Sequence, residues 1–200
     1  MRWSARLKKP GDPGEATAVL RPLLYRLPSR TGKGLVNIVI DTPKGSRNKF
    51  KWDDKAQCFR LGRILPAGAS FPYDFGSIPQ TLAEDGDALD VMLIAEVPCF
   101  VGCLVTARLI GGFSAKQTEK GKTIRNDRLL AVPVTKVNPA PISDIAELPP
   151  GRLDEIEHFF VSYNQAHGRK YQPIGRIGPK RAARALAAAE RLYRKKAPKA

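Results

Sequence analysis

The chain has 200 residues, 42% of them hydrophobic, which is enough to bury the core of one globular domain. None of its apolar runs approaches the roughly eighteen residues that a membrane-spanning helix needs, so we expect no membrane partner. The formal net charge of +15 could indicate a nucleic-acid-binding protein, but its distribution along the chain argues against that as the main function.

The basic charge lies at the two ends of the chain. Residues 1–33 carry 8 Lys and Arg against 2 Asp and Glu, and residues 169–200 carry 11 against 1. The residues between them carry 15 against 16 and are nearly neutral. We therefore expect nucleic acid to be bound weakly at most, through the basic tails.

The predicted strands begin after the arm 1–33, in which Pro, Gly and Arg leave little periodicity. The β-branched run LVNIVID predicts one strand, and the alternating KFKWD predicts another after a turn at Pro43 and Gly45. Further short strands are expected at 58–65, 91–94, 101–110 and 129–134. Short strands with no long helix between them favour an α+β protein, with an antiparallel sheet closed as a small barrel, over a doubly wound parallel fold.

Two helices are predicted late in the chain. Apolar residues recur at helical spacing from Leu153 to Tyr163, and Gly168 supplies a stop. After a turn rich in Pro and Gly, residues 180–195 form a second helix rich in Ala and Arg. The predicted segments are a basic N-terminal arm at 1–33, a barrel domain with its packed helix at 34–177, and a basic C-terminal helix and tail at 178–200.

The cysteines and the N-terminus indicate the cellular compartment. Cys58, Cys99 and Cys103 are an odd number in apolar, strand-like surroundings, which favours buried thiols in a reducing environment. The N-terminus has cations without an apolar block behind them, which fits a secretory signal poorly. We therefore expect a cytoplasmic protein.

The densest group of chemically active side chains is the segment EDGDALD at 84–90, with four carboxylates in seven residues. Such crowding is repulsive unless solvent or a cation compensates for it, and oxygen ligands of this kind suit Mg²⁺ or Mn²⁺. The alternative is an acidic surface loop built from Asx turns, and the segment alone does not decide between the two. Cations that could hold a phosphorylated substrate precede it: Lys44, Arg47, Lys49 and Arg63.

Several motifs then follow in a defined order. They are IDTPKGSRNKF at 40–50, Arg63, FPYDFG at 71–76, DGDALD at 85–90, NDRLLAVP at 126–133 and HFFVSY at 158–163. In this order the chain resembles the soluble inorganic pyrophosphatases of the metal-dependent barrel family, family I. The resemblance covers about residues 35 to 168.

The resemblance implies both a fold and a reaction. The fold would be a small, closed, five-stranded OB-like barrel with flanking C-terminal helices. The reaction would be hydrolysis of pyrophosphate to two phosphates by a metal-activated water, with Mg²⁺ or Mn²⁺. Because pyrophosphate is highly anionic, metal ions and cationic side chains must neutralise it before a hydroxide can approach. The resemblance also implies a homo-oligomer.

The resemblance assigns roles to nine residues. Asp85 and Asp90 would ligate the metal ions that flank the nucleophile, and Asp87, in the same metal site, would be the base that takes its proton. Asp41 would be an outer carboxylate for a further metal ion. Asn126 stands at the position of a bridging carboxylate and would ligate metal through its amide oxygen. The side chains expected to hold substrate or product phosphate are Lys49, Arg63, Arg128 and Tyr163.

The chain departs from the family at several positions. An amide at Asn126 brings no charge, so the metal pair that it shares should be weakened unless Asp127 compensates. At the preceding ligand position the alignment favours Gln117, with Glu119 as the alternative. The other departures are Lys51 for a usual Glu, Phe71 and Phe75 for the commoner tyrosines, and Asn164 for a usual Lys.

These departures leave two alternatives open. The loss of two hydroxyl groups and one cation would reshape the phosphate pocket, so a nucleotide or another phosphoanhydride could be the preferred substrate. The barrel could also be catalytically silent and bind polyanions through its basic tails.

Overall fold

A computed structural model describes residues 26–53, 55–135 and 142–196. Within these ranges the chain forms nine strands and two α-helices. The strands are β1 (Val36–Thr42), β2 (Asn48–Asp53), β3 (Cys58–Ile64), β4 (Asp74–Ile78), β5 (Leu89–Leu93), β6 (Leu104–Glu119), β7 (Lys122–Arg125), β8 (Arg128–Pro133) and β9 (Lys170–Ile177). The helices are α1 (Arg152–Gln165) and α2 (Pro179–Lys196).

Five of the strands close into a barrel. Hydrogen bonds run in the order β1-β4-β5-β8-β6, and β6 pairs again with β1, where Val36 lies opposite Ala107. The predicted small barrel of five strands is confirmed. One pair differs from the predicted antiparallel sheet, because β5 and β8 run parallel. A parallel pair needs a long connection, and residues 94–127 supply it.

The strand β6 is sixteen residues long and carries the outer strands as well as its part of the barrel. It pairs with β1 and β8 in the ring, and with β7 and β9 outside it. Its path requires glycine at position 112, where a Cβ atom would lie 2.3 Å from the carbonyl oxygen of Arg128. The sequence predicts this strand only as far as residue 110, because two consecutive glycines follow.

Three strands are not predicted by the sequence. β4 and β7 are short, and β9 occupies residues that the sequence pattern assigns to a turn rich in Pro and Gly. Pro173 is tolerated in β9 because this is an outer strand and because the register with β6 shifts beside it.

Both predicted helices are present, and each covers its own part of the core. Ile156 and Phe160 of α1 pack with Phe71 and Phe75 in one cluster. The other cluster lies between α2 and the ring strands, and the buried residues that α2 contributes are Ala182, Leu186 and Ala189. None of the helices in the described ranges is long and apolar enough to cross a membrane.

The cysteines are more exposed than the sequence predicts. Cys58 is exposed, Cys99 and Cys103 are half-buried, and all three are free. Cys58 begins β3, whose only strand partner within the described residues is β2, so this hairpin has two partly uncovered faces. The prediction of buried thiols is therefore wrong for Cys58 and holds only in part for the other two.

A salt bridge attaches α2 to the start of the barrel. Glu190 accepts hydrogen bonds from Arg30 Nε at 2.7 Å and from Ser29 Oγ at 2.8 Å. Burial alone would raise the pKa of Glu190, but the hydrogen bonds from Arg30 and Ser29 outweigh burial and lower that pKa. The ionised carboxylate therefore stabilises the folded state.

Replacing Glu190 with Gln should lower the free energy of unfolding by about 1–2 kcal/mol at neutral pH. Because the folded-state pKa is lowered, the contribution is fully present above the ordinary Glu value of 4.5 and is lost as the pH falls through the folded-state value. Urea unfolding of the variant and the wild type should give stabilities that converge in acid. The exposed Arg191→Gln change on the same helix is the control and should have little effect. A stability difference that stays constant down to about pH 3 would contradict this role.

Candidate active site

A cavity of about 350 Å³ opens between β1, the β2–β3 hairpin, the loop before β5, the β6–β7 hairpin and α1. All nine residues to which the sequence assigns a role lie on its wall: Asp41, Lys49, Arg63, Asp85, Asp87, Asp90, Asn126, Arg128 and Tyr163. They come from distant parts of the chain: closure of the ring brings together those on β1 and those on or just before β5 and β8, and the β2–β3 hairpin and α1 add the others.

The acidic segment forms a tight loop that leads into β5. Asp85 Oδ1 accepts a hydrogen bond from the backbone N–H of Asp87 at 3.1 Å, which is an Asx turn. The hydroxyl of Thr81 fixes the end of the loop by accepting from the backbone N–H of Leu89 at 2.9 Å. The segment therefore contains the Asx turn expected of an acidic surface loop, and its aspartates nevertheless line the cavity.

The β2–β3 hairpin brings cations to these carboxylates. Lys49 Nζ lies 2.6 Å from Asp41 Oδ1, and Arg63 is the strand partner of Lys49 across the hairpin. Lys51 Nζ lies 2.9 and 3.0 Å from the two carboxylate oxygens of Asp87. The Lys49–Asp41 pair is largely buried, whereas the Lys51–Asp87 pair is exposed to solvent and is therefore weak and readily exchanged.

Two aspartates lie in surroundings that disfavour their charge. Burial raises the pKa of Asp41, although the ammonium group of Lys49 opposes this. Burial also raises the pKa of Asp85, and the neighbouring Asp90 raises it further. A cation bound beside Asp85 would favour the ionised form of this carboxylate.

A continuous network of buried hydrogen bonds forms another wall of the cavity. Asn126 Nδ2 donates to Gln117 Oε1 at 3.0 Å, and Asn126 Oδ1 accepts from Arg128 Nη1. The same nitrogen of Arg128 donates to Asp90 Oδ2. Burial disfavours the charge on Arg128, but Asp90, Tyr171 and Asp85 together outweigh burial and raise the pKa of the guanidinium. Arg128 therefore stays charged within the cavity wall.

Three candidates from the sequence do not line the cavity. Lys44 Nζ and Arg47 Nη2 each donate to a backbone carbonyl oxygen elsewhere, at 2.9 Å. Asp127 turns to the other side of β8, where it pairs with Arg125 Nε at 3.0 Å. Asp127 therefore does not compensate for the amide at position 126.

Sequence reasoning missed Arg169, which precedes β9 and lines the cavity. Arg169 Nη2 donates to Glu119 Oε1 at 3.2 Å. Glu119 and Gln117 both reach the cavity wall, so the two alternatives at this ligand position differ in their partners and not in their location. Arg169 was missed because the residues after it were predicted to form a turn, whereas they form β9, which places Arg169 at the cavity.

The two phenylalanines at the usual tyrosine positions hold a cation instead of offering a hydroxyl. Lys49 Nζ lies 4.3 Å from the ring centre of Phe75 and 5.8 Å from that of Phe71. Asn164 is buried, and its Nδ2 donates to the carbonyl oxygen of Phe160 one turn earlier in α1, at 2.8 Å. This amide therefore holds the helix and provides no cation for a phosphate.

The donor set suits a hard divalent cation, since Asp41, Asp85, Asp87 and Asp90 offer carboxylate oxygens to one cavity. Among the described residues, however, no group of three Asp, Glu, His or Cys side chains converges closely enough to hold a metal ion. Three of the four aspartates are instead turned towards a cationic side chain. A metal ion would have to compete with these cations, most easily with the exposed Lys51.

Comparison with known proteins identifies the family. A family model described as inorganic pyrophosphatase matches residues 38–194. The chain belongs to the inorganic pyrophosphatase family. The resemblance carried by the ordered motifs is confirmed, and the match extends beyond them to include β9 and most of α2. The inorganic pyrophosphatases of this family are metal-dependent hydrolases that act on pyrophosphate.

Individual inorganic pyrophosphatases are similar over most of the chain. One from Synechocystis sp. is 40% identical over 152 residues, which cover 76% of this chain and 88% of that protein. One from Sulfolobus acidocaldarius is 33% identical over 153 residues, covering 76% and 86%. The crystal structure of inorganic pyrophosphatase from Thermus thermophilus superposes with a TM-score of 0.76 at 31% identity, covering 86% of this chain and 98% of that chain. The predicted fold is therefore confirmed.

Replacing Arg128 with Met should lower the free energy of unfolding by about 2–4 kcal/mol, because Asp90 would lose its charged partner in a largely buried position. Arg60→Met is the matched control. It also removes an arginine that pairs with an aspartate, but the Arg60–Asp53 pair lies at the surface, so the change should have little effect. Urea unfolding measures both, and equal losses would mean that the buried network does not stabilise the fold.

Proposed function

We propose that this protein is a cytoplasmic enzyme that hydrolyses inorganic pyrophosphate to two phosphates with Mg²⁺, and that the nine predicted residues perform the reaction. The observation that carries the proposal is a single cavity that gathers four aspartates and several fixed cations. An anionic substrate needs the cations, and a divalent metal ion needs the carboxylates.

The substrate phosphates would be held by Lys49, Arg63, Arg128 and Tyr163. Lys49 and Arg63 face the cavity from the hairpin, and Arg128 faces it from β8. Arg63 Nη1 is buried and has no hydrogen-bond partner among the described residues, so it is a donor that a phosphate oxygen can satisfy. Together these side chains would neutralise and orient the pyrophosphate before the attack of water.

Asp41, Asp85, Asp87 and Asp90 would supply the metal ligands, and Asn126 stays a predicted further oxygen ligand. Carboxylate oxygens favour Mg²⁺, with Mn²⁺ as a substitute. A divalent ion bound there would offset the charge of the substrate and make water acidic enough to lose a proton near neutral pH.

Asp87 would take the proton from the attacking water. It is the most exposed of the three paired aspartates of the cavity, and its partner Lys51 is also exposed to solvent. A base in this position can pass the proton to bulk water after the phosphoanhydride bond breaks.

A nucleotide is the second candidate substrate, and the aromatic side chains at the cavity favour it. Trp52 and Phe59 both line the cavity, with ring centres 5.3 Å apart in an edge-to-face arrangement. An aromatic surface of this kind can stack on a base, whereas pyrophosphate would make no use of it.

Two proposals concern partners beyond the substrate. The protein would form a homo-oligomer, and its basic ends would bind nucleic acid weakly, in a salt-sensitive manner. The exposed Lys and Arg side chains of α2 support the second proposal.

Asp87→Asn should lower the rate of phosphate release from pyrophosphate by about 100-fold or more, because the amide cannot accept the proton. Asp154→Asn is the matched control, since Asp154 is also an exposed aspartate paired with a cation but lies outside the cavity. It should leave the rate unchanged. A nucleoside triphosphate assayed in parallel tests the rival substrate, and faster release from it would favour the nucleotide.

Removal of divalent ions with a chelator should abolish hydrolysis, and added Mg²⁺ should restore it. The fold should survive this treatment, because the cavity aspartates other than Asp85 have cationic partners without metal. Phosphate release and circular dichroism on the same samples check both statements. A folded protein that releases no phosphate from either substrate with Mg²⁺ present would move the function to polyanion binding.

A further inference from the structure

We infer that Gln117, Asn126 and Arg128 form a metal-free side of the cavity, in which the fixed guanidinium of Arg128 takes the place of a divalent cation. The inference deepens the proposed function and rests on it, because it states where in a metal-dependent site the metal ions do not bind. It reassigns Asn126 from metal ligand to part of a hydrogen-bonded support for Arg128.

The hydrogen bonds of the amide pair carry the first step. Asn126 and Gln117 are 3% and 6% exposed, so bulk water does not supply their partners. Asn126 Nδ2 donates to Gln117 Oε1 at 3.0 Å, while Asn126 Oδ1 accepts from Arg128 Nη1. The two oxygens that could ligate a metal ion at these positions therefore already accept hydrogen bonds.

The second step concerns the charge next to those oxygens. A divalent ion on Asn126 Oδ1 would share that oxygen with the guanidinium of Arg128 and would lie about 4 Å from it. Repulsion at this distance, inside a buried wall, opposes binding. Asp90 offsets the charge of Arg128, but the two form a pair with no net charge and so add nothing that attracts an ion to the amide oxygens.

The third step is the charge of the whole cavity. The acidic residues on its wall are Asp41, Asp85, Asp87, Asp90 and Glu119, and the basic residues are Lys49, Lys51, Arg63, Arg128 and Arg169. Five of each give a net charge of zero. Such a cavity does not retain several divalent ions unless a substrate brings further negative charge.

Asp85 marks the side on which a resident ion would bind. Among the described residues it is the one aspartate of the cavity that has no salt bridge within 4 Å. Asp87 is its neighbour in the loop and is paired only with the exposed Lys51. The enzyme would thus hold one divalent ion near Asp85 before substrate binds, and further ions would enter together with pyrophosphate.

Binding of Mn²⁺ to the full chain without substrate, followed by the electron paramagnetic resonance signal of the free ion, tests the inference. The wild type should bind one Mn²⁺ per chain. The double variant Gln117→Glu with Asn126→Asp should bind one more, because it adds two carboxylates beside Arg128. Gln165→Glu with Gln172→Glu is the matched control, since both residues are exposed and lie outside the cavity. It should bind the same number as the wild type.

Two results would overturn the inference: a double variant that gains no ion, or an Asn126→Ala variant that loses at least tenfold in Mn²⁺ affinity with an unchanged melting temperature. If the double variant does not fold, the single Asn126→Asp change takes its place. The measurement contains no pyrophosphate, so its outcome is separate from that of the hydrolysis assay. A gain of one ion in a protein that hydrolyses nothing would support the inference and reject the proposed function.

Discussion

The pairing of β1 with β6 is the constraint on which the rest of the structure depends. In an open sheet of the same strand order, β1 and β8 would be three strands apart, roughly 14 Å. Closure of the ring turns the sheet on itself, so Asp41 at the end of β1 and Arg128 at the start of β8 line the same cavity. The same closure fixes the position of β5, which carries Asp90 between them.

Closure also brings carboxylates of β1 and β5 close together, and cationic side chains around the cavity neutralise them. The cationic side chains that pair with carboxylates of the cavity come from separate elements: the β2–β3 hairpin, β8 and the segment before β9. The buried pairs are geometrically fixed, whereas the exposed pair can exchange with solvent, ions or substrate. In a site of this kind a metal ion would compete with the cationic side chains for a limited set of carboxylates.

The sequence predicted the parts of this arrangement that are local or that carry a motif. The apolar spacing of α1, the Ala-rich α2 and the β-branched run of β1 each specify their own conformation. The ordered motifs led to nine residues, and all nine line the cavity. The sequence did not predict which strands pair with each other. The parallel β5–β8 pair, the strand β9 with its proline, and the direction in which Asp127 points depend on contacts between distant segments, which no local pattern records.

The bond between Arg30 and Glu190 has a consequence for chain connectivity. Residues 160 positions apart are in contact, so Arg30, near the start of the described residues, lies beside Glu190, near their end. The barrel therefore does not require that its strands and helices follow one another in the present order along the chain. A circular permutant that joins these ends through a short linker, and opens the chain at the exposed β2–β3 turn, keeps every barrel pairing intact. The order in which the strands are synthesised can thus be changed without changing which strands are neighbours in the barrel.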